Sequence, residues 1–319
     1  MAYELLIQSG GSAFYPSVED GVTWKTTRKG APGELNFSVL KDQTISFQEG
    51  DPVAFRMDGT EVFYGYVFTK QRSKDGRIQV TAFDQLRYLK NKTSVLEDGV
   101  KASDLLTLMA RDFQLQTGEV EDTVHVIGEV TEKNKTLFDI LQDALDETLQ
   151  ATGKLYCLYD AFGKLTLKNV ERMKTDYLIE ADSAEDFDYS SSIDSDTYNQ
   201  IKLTYDNEET GIREKFMAKN SAHQNQWGVL QYYEDLKSPL GAAAKADALL
   251  KFYDQKTRTL TVKNLFGRLD IRAGASVAVH LNLGDIITSN YMVVEQATHT
   301  FNESEHWMDL KLIGGEFIA

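Results

Sequence analysis

Cysteine is nearly absent: Cys157 stands alone in 319 residues. One thiol excludes an intrachain disulfide framework and leaves any metal site without a thiolate pair. Its setting, Leu155-Tyr156-Cys157-Leu158-Tyr159, reads as a strand holding a small buried residue. Proline is scarce as well, with four residues, and low-complexity stretches are few, which argues against disorder. No apolar run approaches the roughly 18 residues of a membrane span. The start, Met1-Ala2-Tyr3-Glu4, has no basic segment of the kind that opens a signal peptide, so synthesis in the cytoplasm and no membrane contact are expected. Positive charge is short: 34 basic against 49 acidic residues give a net charge of −15. That balance disfavours a phosphate-binding surface, because nucleic-acid affinity rests on Lys and Arg neutralising phosphates.

Catalytic signatures are missing too. There is no Gly-x-Ser-x-Gly elbow, no P-loop and no Cys/His pair for a thiol nucleophile. His299, Glu303, Glu305 and His306 carry metal-ligating side chains. A zinc-protease pair, however, needs two His one helical turn apart, and Thr300-Phe301-Asn302 with Ser304 reads as a strand end and hairpin turn. Residues 182–196 hold Asp182, Glu185, Asp186, Asp188, Asp194 and Asp196 with no base among them. A Ca²⁺ loop needs alternating oxygens around a tight Gly turn, and no Gly occurs there, so a solvated acidic connector is expected. Paired carboxylates for glycoside hydrolysis are abundant but nothing singles out two. No catalytic, cofactor or metal residue is therefore assigned, and no cofactor is expected.

The chain offers instead a repeated β pattern. At 319 residues it is too long for one ordinary core, and 42% hydrophobic with 26% charged residues is the balance of a folded protein. Residues 48–84 read as a β-meander, and residues 272–313 repeat it. Gly50 and Gly274 each stand three residues before a Val-Ala pair, Val53-Ala54 and Val277-Ala278. Arg56 and His280 fall at the same step. Ile78, Val80 and Ala82 alternate with polar residues as Met308, Leu310 and Leu312 do. The offset is 224 at the first strand (277 − 53) and 230 at the last (308 − 78), a difference that turns absorb easily.

The remainder falls into three parts. Residues 1–98 read as about six strands, with Val22, Trp24, Thr26 and Leu35, Phe37, Val39 alternating as in a sheet with one buried face. Residues 99–187 read as an inserted α+β domain. In it Ser103 caps a helix from Asp104 to about Gln114, and Thr136 caps another from Leu137 to Gln150. Gly153 ends that helix. A hairpin follows, with strands Leu155–Tyr159 and Lys164–Val170. Residues 188–319 return to β, with a hairpin at 199–218, a strand at 228–233, and a helix from Ser238-Pro239 to about Tyr253 that caps or flanks the sheet. Trp24, Trp227 and Trp307 all fall on expected strands, Trp24 in a core and the other two in a core or at a subunit interface. The expected fold class is α+β, mainly β: two β-barrels (1–98 and 188–319) separated by a small α+β domain.

Several segments together carry a family likeness: Val22-Thr23-Trp24-Lys25-Thr26, Gly33-Glu34-Leu35-Asn36-Phe37, Glu49-Gly50-Asp51-Pro52-Val53, Gly65-Tyr66-Val67-Phe68 and Val80-Thr81-Ala82-Phe83-Asp84. Later ones agree, among them Trp227-Gly228-Val229-Leu230, Thr298-His299-Thr300-Phe301 and Glu305-His306-Trp307-Met308. Each is weak alone, but together they span nearly the whole chain. They resemble baseplate hub proteins of contractile phage tails and phage-tail-like bacteriocins, of the XkdQ/YqbQ type within the late control D superfamily. The resemblance implies a non-enzymatic homotrimer with two tube-like barrels per subunit, so that three chains mimic a hexamer. It implies docking on a six-fold tail tube and a three-fold spike, contact with wedge and LysM-type baseplate proteins, and a place in a virion or tail-like particle. DNA passage through the lumen would involve no specific binding. Two other functions stay open at this point: a hub domain with cell-wall hydrolase activity, and a middle domain that grips another baseplate protein.

Overall fold

The computed structural model describes residues 3–19, 21–40, 46–74, 76–181, 183, 185–194, 197–207, 210–236, 238–282 and 287–314. The chain opens with strands β1 (Tyr3–Ser9), β2 (Ser12–Phe14), β3 (Val22–Thr27) and β4 (Glu34–Leu40). The first meander follows as β5 (Pro52–Met57), β6 (Thr60–Arg72) and β7 (Arg77–Phe83). Next come a 3-10 turn at Gln85–Lys90, β8 (Lys92–Val100), α1 (Ala102–Asp112), β9 (Thr117–Val120), β10 (Ile127–Thr136) and α2 (Leu137–Thr152). The hairpin β11 (Tyr156–Asp160) and β12 (Leu165–Asn169) precedes β13 (Lys174–Ile179) and β14 (Asp186–Ser192). Then come β15 (Gln200–Asn207), β16 (Ile212–Lys219), α3 (Ser221–Trp227), β17 (Gln231–Asp235), α4 (Ala242–Tyr253) and β18 (Thr257–Phe266). The second meander closes the chain as β19 (Ser276–Asn282), β20 (Ile287–Phe301) and β21 (His306–Ile313). The fold is mainly β, in the α+β class.

The contacts divide the chain into two compact units. One holds residues 1–149, 154–188 and 260–319, and the other holds 150–153 and 189–259. These boundaries fall elsewhere than at 98 and 187. Both meanders lie in the first unit, because they share a sheet. Its strands run β14-β18-β21-β20-β3-β4-β7-β6-β5-β1-β2, with β13 beside β19.

Within that sheet the meanders match residue by residue. In the first, Tyr66 faces Phe83, Val67 faces Ala82 and Thr69 faces Thr81, with a bulge after Val67. In the second, Val293 faces Ile313, Val294 faces Leu312 and Gln296 faces Lys311, with a bulge after Val294. The offsets are constant, 227 along the long strand (294 − 67) and 230 along the last (312 − 82). The first strand keeps its offset of 224: Pro52 faces Tyr66 as Ser276 faces Val293. A bulge carries an extra residue and bends its strand, so equal bulges at equal places mean equal curvature.

The likeness extends beyond the three strands visible in the sequence. β4 flanks β7 as β18 flanks β21, β3 lies outside β4 as β14 lies outside β18, and β1 borders β5 as β13 borders β19. Each copy thus has six strands in one chain order and one sheet order. A difference lies at one edge, where β1 runs antiparallel to β5 while β13 runs parallel to β19.

Between the copies α1 and α2 build a core of their own. Leu105, Leu106 and Met109 meet Leu137, Ile140, Leu141 and Ala144 over Tyr156, Leu165 and Leu167. Thr136 caps α2 as expected, its Oγ1 accepting from Asp139 N–H at 3.1 Å. Ser103 does not cap α1. It is the second residue of the helix, buried beside Thr123, and the cap position is Lys101, whose N–H donates to Asp104 Oδ2 at 3.2 Å. The expected acidic connector also differs: Asp186–Ser192 is a strand, while Asp182 and Asp196 lie outside the described residues. Glu185 reaches Asn264 Nδ2.

The second unit has its own small sheet, β16-β15-β17. Its helix α4 places Ala246 and Leu249 on Ile201, Leu203 and Ala218. The helix therefore covers the sheet of its own unit. It begins at Ala242 and not at Pro239, which leaves Leu240 exposed. Trp227 ends helix α3, stacked on His223 at 4.1 Å, where a strand was expected. No described helix is long and apolar enough to cross a membrane.

Candidate assembly surface

The two copies join through one strand pair. The far half of β20 runs antiparallel to β3, with Gln296 facing Thr27, Thr298 facing Lys25 and Phe301 facing Val22. The seam is dry on one face. Phe301 is fully buried, 4.9 Å from the Phe55 ring, and Trp24 stacks on His299 at 5.0 Å. At the seam's end Arg28 N–H donates to the Glu295 carbonyl at 2.9 Å, and Arg28 Nε meets the Glu295 carboxylate at 2.6 Å. Glu295 is the bulged residue of the second meander, so the bulge aims both its carbonyl and its carboxylate at the other copy. The Ala273 N–H completes the join at Thr26 Oγ1, 2.9 Å away.

His299 and His306 do come together, though across the β20–β21 hairpin and not along a helix. His299 Nε2 lies 2.8 Å from the Ile271 carbonyl, and His299 Nδ1 lies 2.8 Å from His306 Nε2. A carbonyl only accepts, so Nε2 carries the His299 proton and Nδ1 must accept from His306. Burial lowers the His299 pKa to about 3 and that of His306 to about 4. The ring of His306 lies flat against Gly267, where a Cβ would collide with it. This pair is a neutral hydrogen-bonded wedge in the core. Glu303 and Glu305 do not join it, and Glu305 accepts from the Trp307 indole at 3.0 Å. Among the described residues, no group of three His, Cys, Asp or Glu side chains is placed to hold a metal.

A second buried cluster ties the middle strands to the sheet. The Arg272 guanidinium lies 4.1 Å from the Tyr159 ring and donates to the Asp160 carbonyl at 3.0 Å. Asp84 accepts from Gly33 N–H at 2.9 Å and from Leu86 N–H at 3.0 Å. Burial pushes the Asp84 carboxyl well above the usual carboxylate range, the charge of Asp160 adds to this, and Arg272 opposes it. Burial also raises Asp160. Two carboxyls beside one guanidinium resemble acid–base machinery, but Asp84 and Asp160 are 4% and 5% exposed, the two N–H groups above hold both Asp84 oxygens, and Gly163 N–H donates to Asp160 Oδ1 at 2.6 Å. The arrangement is that of a structural clamp. Cys157, beside it, is buried as expected, and burial lifts its thiol to about 11. Trp24 is in the core as expected, while Trp307 stacks on exposed Phe266 at 5.0 Å.

Sequence reasoning located the seam residues Trp24, His299 and Phe301 but not their pairing. The signal was present, because β3 and the far half of β20 both alternate, yet nothing local says which strands meet.

Comparison with known proteins fits this architecture. The phage-like element PBSX protein XkdQ of Bacillus subtilis strain 168 is 28% identical over 306 residues, covering 93% of this chain and 92% of that protein. A prophage MuSo2 43 kDa tail protein from Shewanella oneidensis superposes with a TM-score of 0.71 at 12% identity, over 99% of this chain and all of that one. The E. coli c3393 protein, a type VI secretion component structurally similar to T4 tail proteins, gives 0.58 at 10% identity over 98% of this chain and 78% of that one. At such identities these two likenesses concern the fold alone. The profile of the YqbQ-like family matches residues 22–313, and the chain belongs to that family.

Proposed function

We propose that this chain is the central hub of a contractile tail baseplate, a homotrimer in which three protomers present six copies of one sheet module as a ring. The observation that carries this is the duplication itself, with two six-stranded copies in one order and matching bulges within a single chain. A trimer of such chains is three-fold by covalent identity and close to six-fold by shape. It can therefore meet a six-fold tail tube on one side and a three-fold spike on the other, with cyclic symmetry closing the ring. Support comes from the tail-protein relatives above and from the secretion-system neighbour. The net charge of −15 suits a hub through which DNA or cargo passes without sticking, since like charges repel phosphates. Wedge and LysM-type proteins dock on its outside, at the baseplate of a virion or tail-like particle.

The test is mass in solution by light scattering, followed by pull-down with the tube and spike proteins of the same tail. A three-chain particle that retains both partners is the expected result. A monomer at all concentrations that binds neither would overturn the reading.

A further inference from the structure

The duplication leaves one join unmade. In the second copy, β19 covers the near half of β20 and β3 covers the far half, Gln296–Phe301. In the first copy, β5 covers the near half of β6 as far as Tyr66. The counterparts of Gln296–Phe301 are residues 69–74 (offset 227), which extend past the end of β6 at Arg72. No described strand lies on that side of them. The counterpart of β3 is β14, the outermost strand of the second copy, whose outer edge is also unpaired among the described residues. One protomer therefore ends in two open edges that are the halves of the join already made inside it.

The charges agree with this pairing. The open end of the first copy carries Arg72 and Lys74, beyond Lys70, whose ammonium is held by the Phe47 carbonyl, and β14 carries Asp186 and Asp188 after Glu185. Arg72, Lys74, Asp186 and Asp188 are all exposed, as is Phe187 at 43%. Between the paired residues of the internal seam, 22–27 and 296–301, Lys25 is the ionised side chain, and the Arg28–Glu295 pair closes its end. Pairing β6 with β6 would set Arg72 near its own copy, and pairing β14 with β14 would set aspartates together. Opposite charge favours the unlike pair and fixes its partner. An exposed strand edge with unsatisfied N–H and C=O groups is itself a template for another chain.

We infer that Thr69–Arg72 of one protomer pairs antiparallel with Asp186–Ser192 of a second copy of this chain, repeating between chains the β3–β20 join made within each. The inference rests on the ring reading above and specifies the contact that closes it. Such a contact is head-to-tail, the kind that generates rings.

Chains with one added cysteine test it. Gln71→Cys is made in one chain and Ser190→Cys in another, both at exposed positions, and the two are co-refolded and oxidised with oxidised glutathione. Buried Cys157 stays out of the reaction. A disulfide joining the two different chains, about tenfold more abundant than either like pair, is expected if the edges meet as described. An oligomer by light scattering in which Gln71→Cys couples as readily to itself would overturn the pairing and leave the ring reading standing. A chain that stays monomeric would overturn both. In a second arm, Arg72→Glu with Lys74→Glu weakens self-association about tenfold, and adding Asp186→Lys with Asp188→Lys restores it. Further weakening on adding the second pair would also refute the proposal.

Discussion

Gly50 and Gly274 hold one position in two copies of the same structure. Each turns with a left-handed backbone, φ +91° and +89°, and each donates its N–H to a valine carbonyl at 2.8 Å, Val67 and Val294. Those valines return the contact, Val67 N–H to Asp51 at 2.9 Å and Val294 N–H to Ala275 at 2.8 Å. The surroundings differ. A Cβ on Gly50 meets nothing within 4 Å, while one on Gly274 would collide with Cys157 Sγ. Gly50→Ala should therefore cost only the left-handed backbone strain, about 1–2 kcal/mol. Gly274→Ala should cost that plus overpacking, about 1–3 kcal/mol more. Urea unfolding of the two variants checks the order, and equal losses would contradict it.

The histidine pair sets a pH dependence. Both folded pKa values, about 3 for His299 and about 4 for His306, lie below the ordinary 6.5. Between about pH 6.5 and about pH 4 the unfolded chain therefore binds more protons than the folded one. Stability rises with pH across that window and is lost as acid is added. Asp84 and Asp160 have raised values and contribute a slope of the opposite sign, but they are common to any comparison with a histidine variant. A His299→Gln/His306→Gln chain should be less stable at pH 7 and should show a flatter decline towards pH 4.5 than the parent. Denaturation midpoints at pH 7.5, 6 and 5 measure this, and parallel profiles would rule out the assignment.

Phe301 is the anchor of the seam between the copies. It is fully buried, 4.9 Å from Phe55 and 4.4 Å from the His306 ring. Phe301→Ala should cost about 3–5 kcal/mol through lost burial and the cavity left behind. Trp307→Ala, on the same hairpin but stacked at the surface, should cost far less. If the two were alike, the seam would not be where the stability lies.

Much of this architecture was legible in the sequence, and the exceptions have causes. The three meander strands showed because period-two alternation and the Gly-x-x-Val-Ala spacing are local features. β13 and β14, on the outside of the second copy, did not show. β14 is built from Asp, Ser, Phe and Tyr with its side chains mostly exposed, so it has no buried face to alternate against. Residues 189–259 fall largely between β14 and β18, where the first copy has only the short link from Thr27 to Glu34, and that insertion hid the equivalence. Trp227 was misplaced because Gly228 ends α3 with φ +79° just before a real strand, and the apolar run straddles both elements. The histidines were correctly kept off a helix. Their contact depends on the β20–β21 register, which a single strand does not encode.

Arg272 shows how one copy diverged to hold the middle of the chain. Its counterpart, at offset 224, is Gln48, and both begin the turn that ends at Gly274 or Gly50. Gln48 is exposed, whereas Arg272 lies over Tyr159 and bonds the Asp160 carbonyl beside two buried carboxyls. Removing one partner from such a cluster leaves charge uncompensated. Arg272→Gln should therefore cost about 3 kcal/mol, the lower end for a broken buried pair, because the arginine keeps some exposure. Gln48→Arg changes a solvated side chain and should stay within about 0.5 kcal/mol. The loss in Arg272→Gln should also be local at first, with amide exchange in β11 and β12 quickening before that of β5–β7. If exchange quickened uniformly, or if both exchanges of side chain cost the same, Arg272 would be an ordinary turn residue and the middle strands would be held by their apolar core alone.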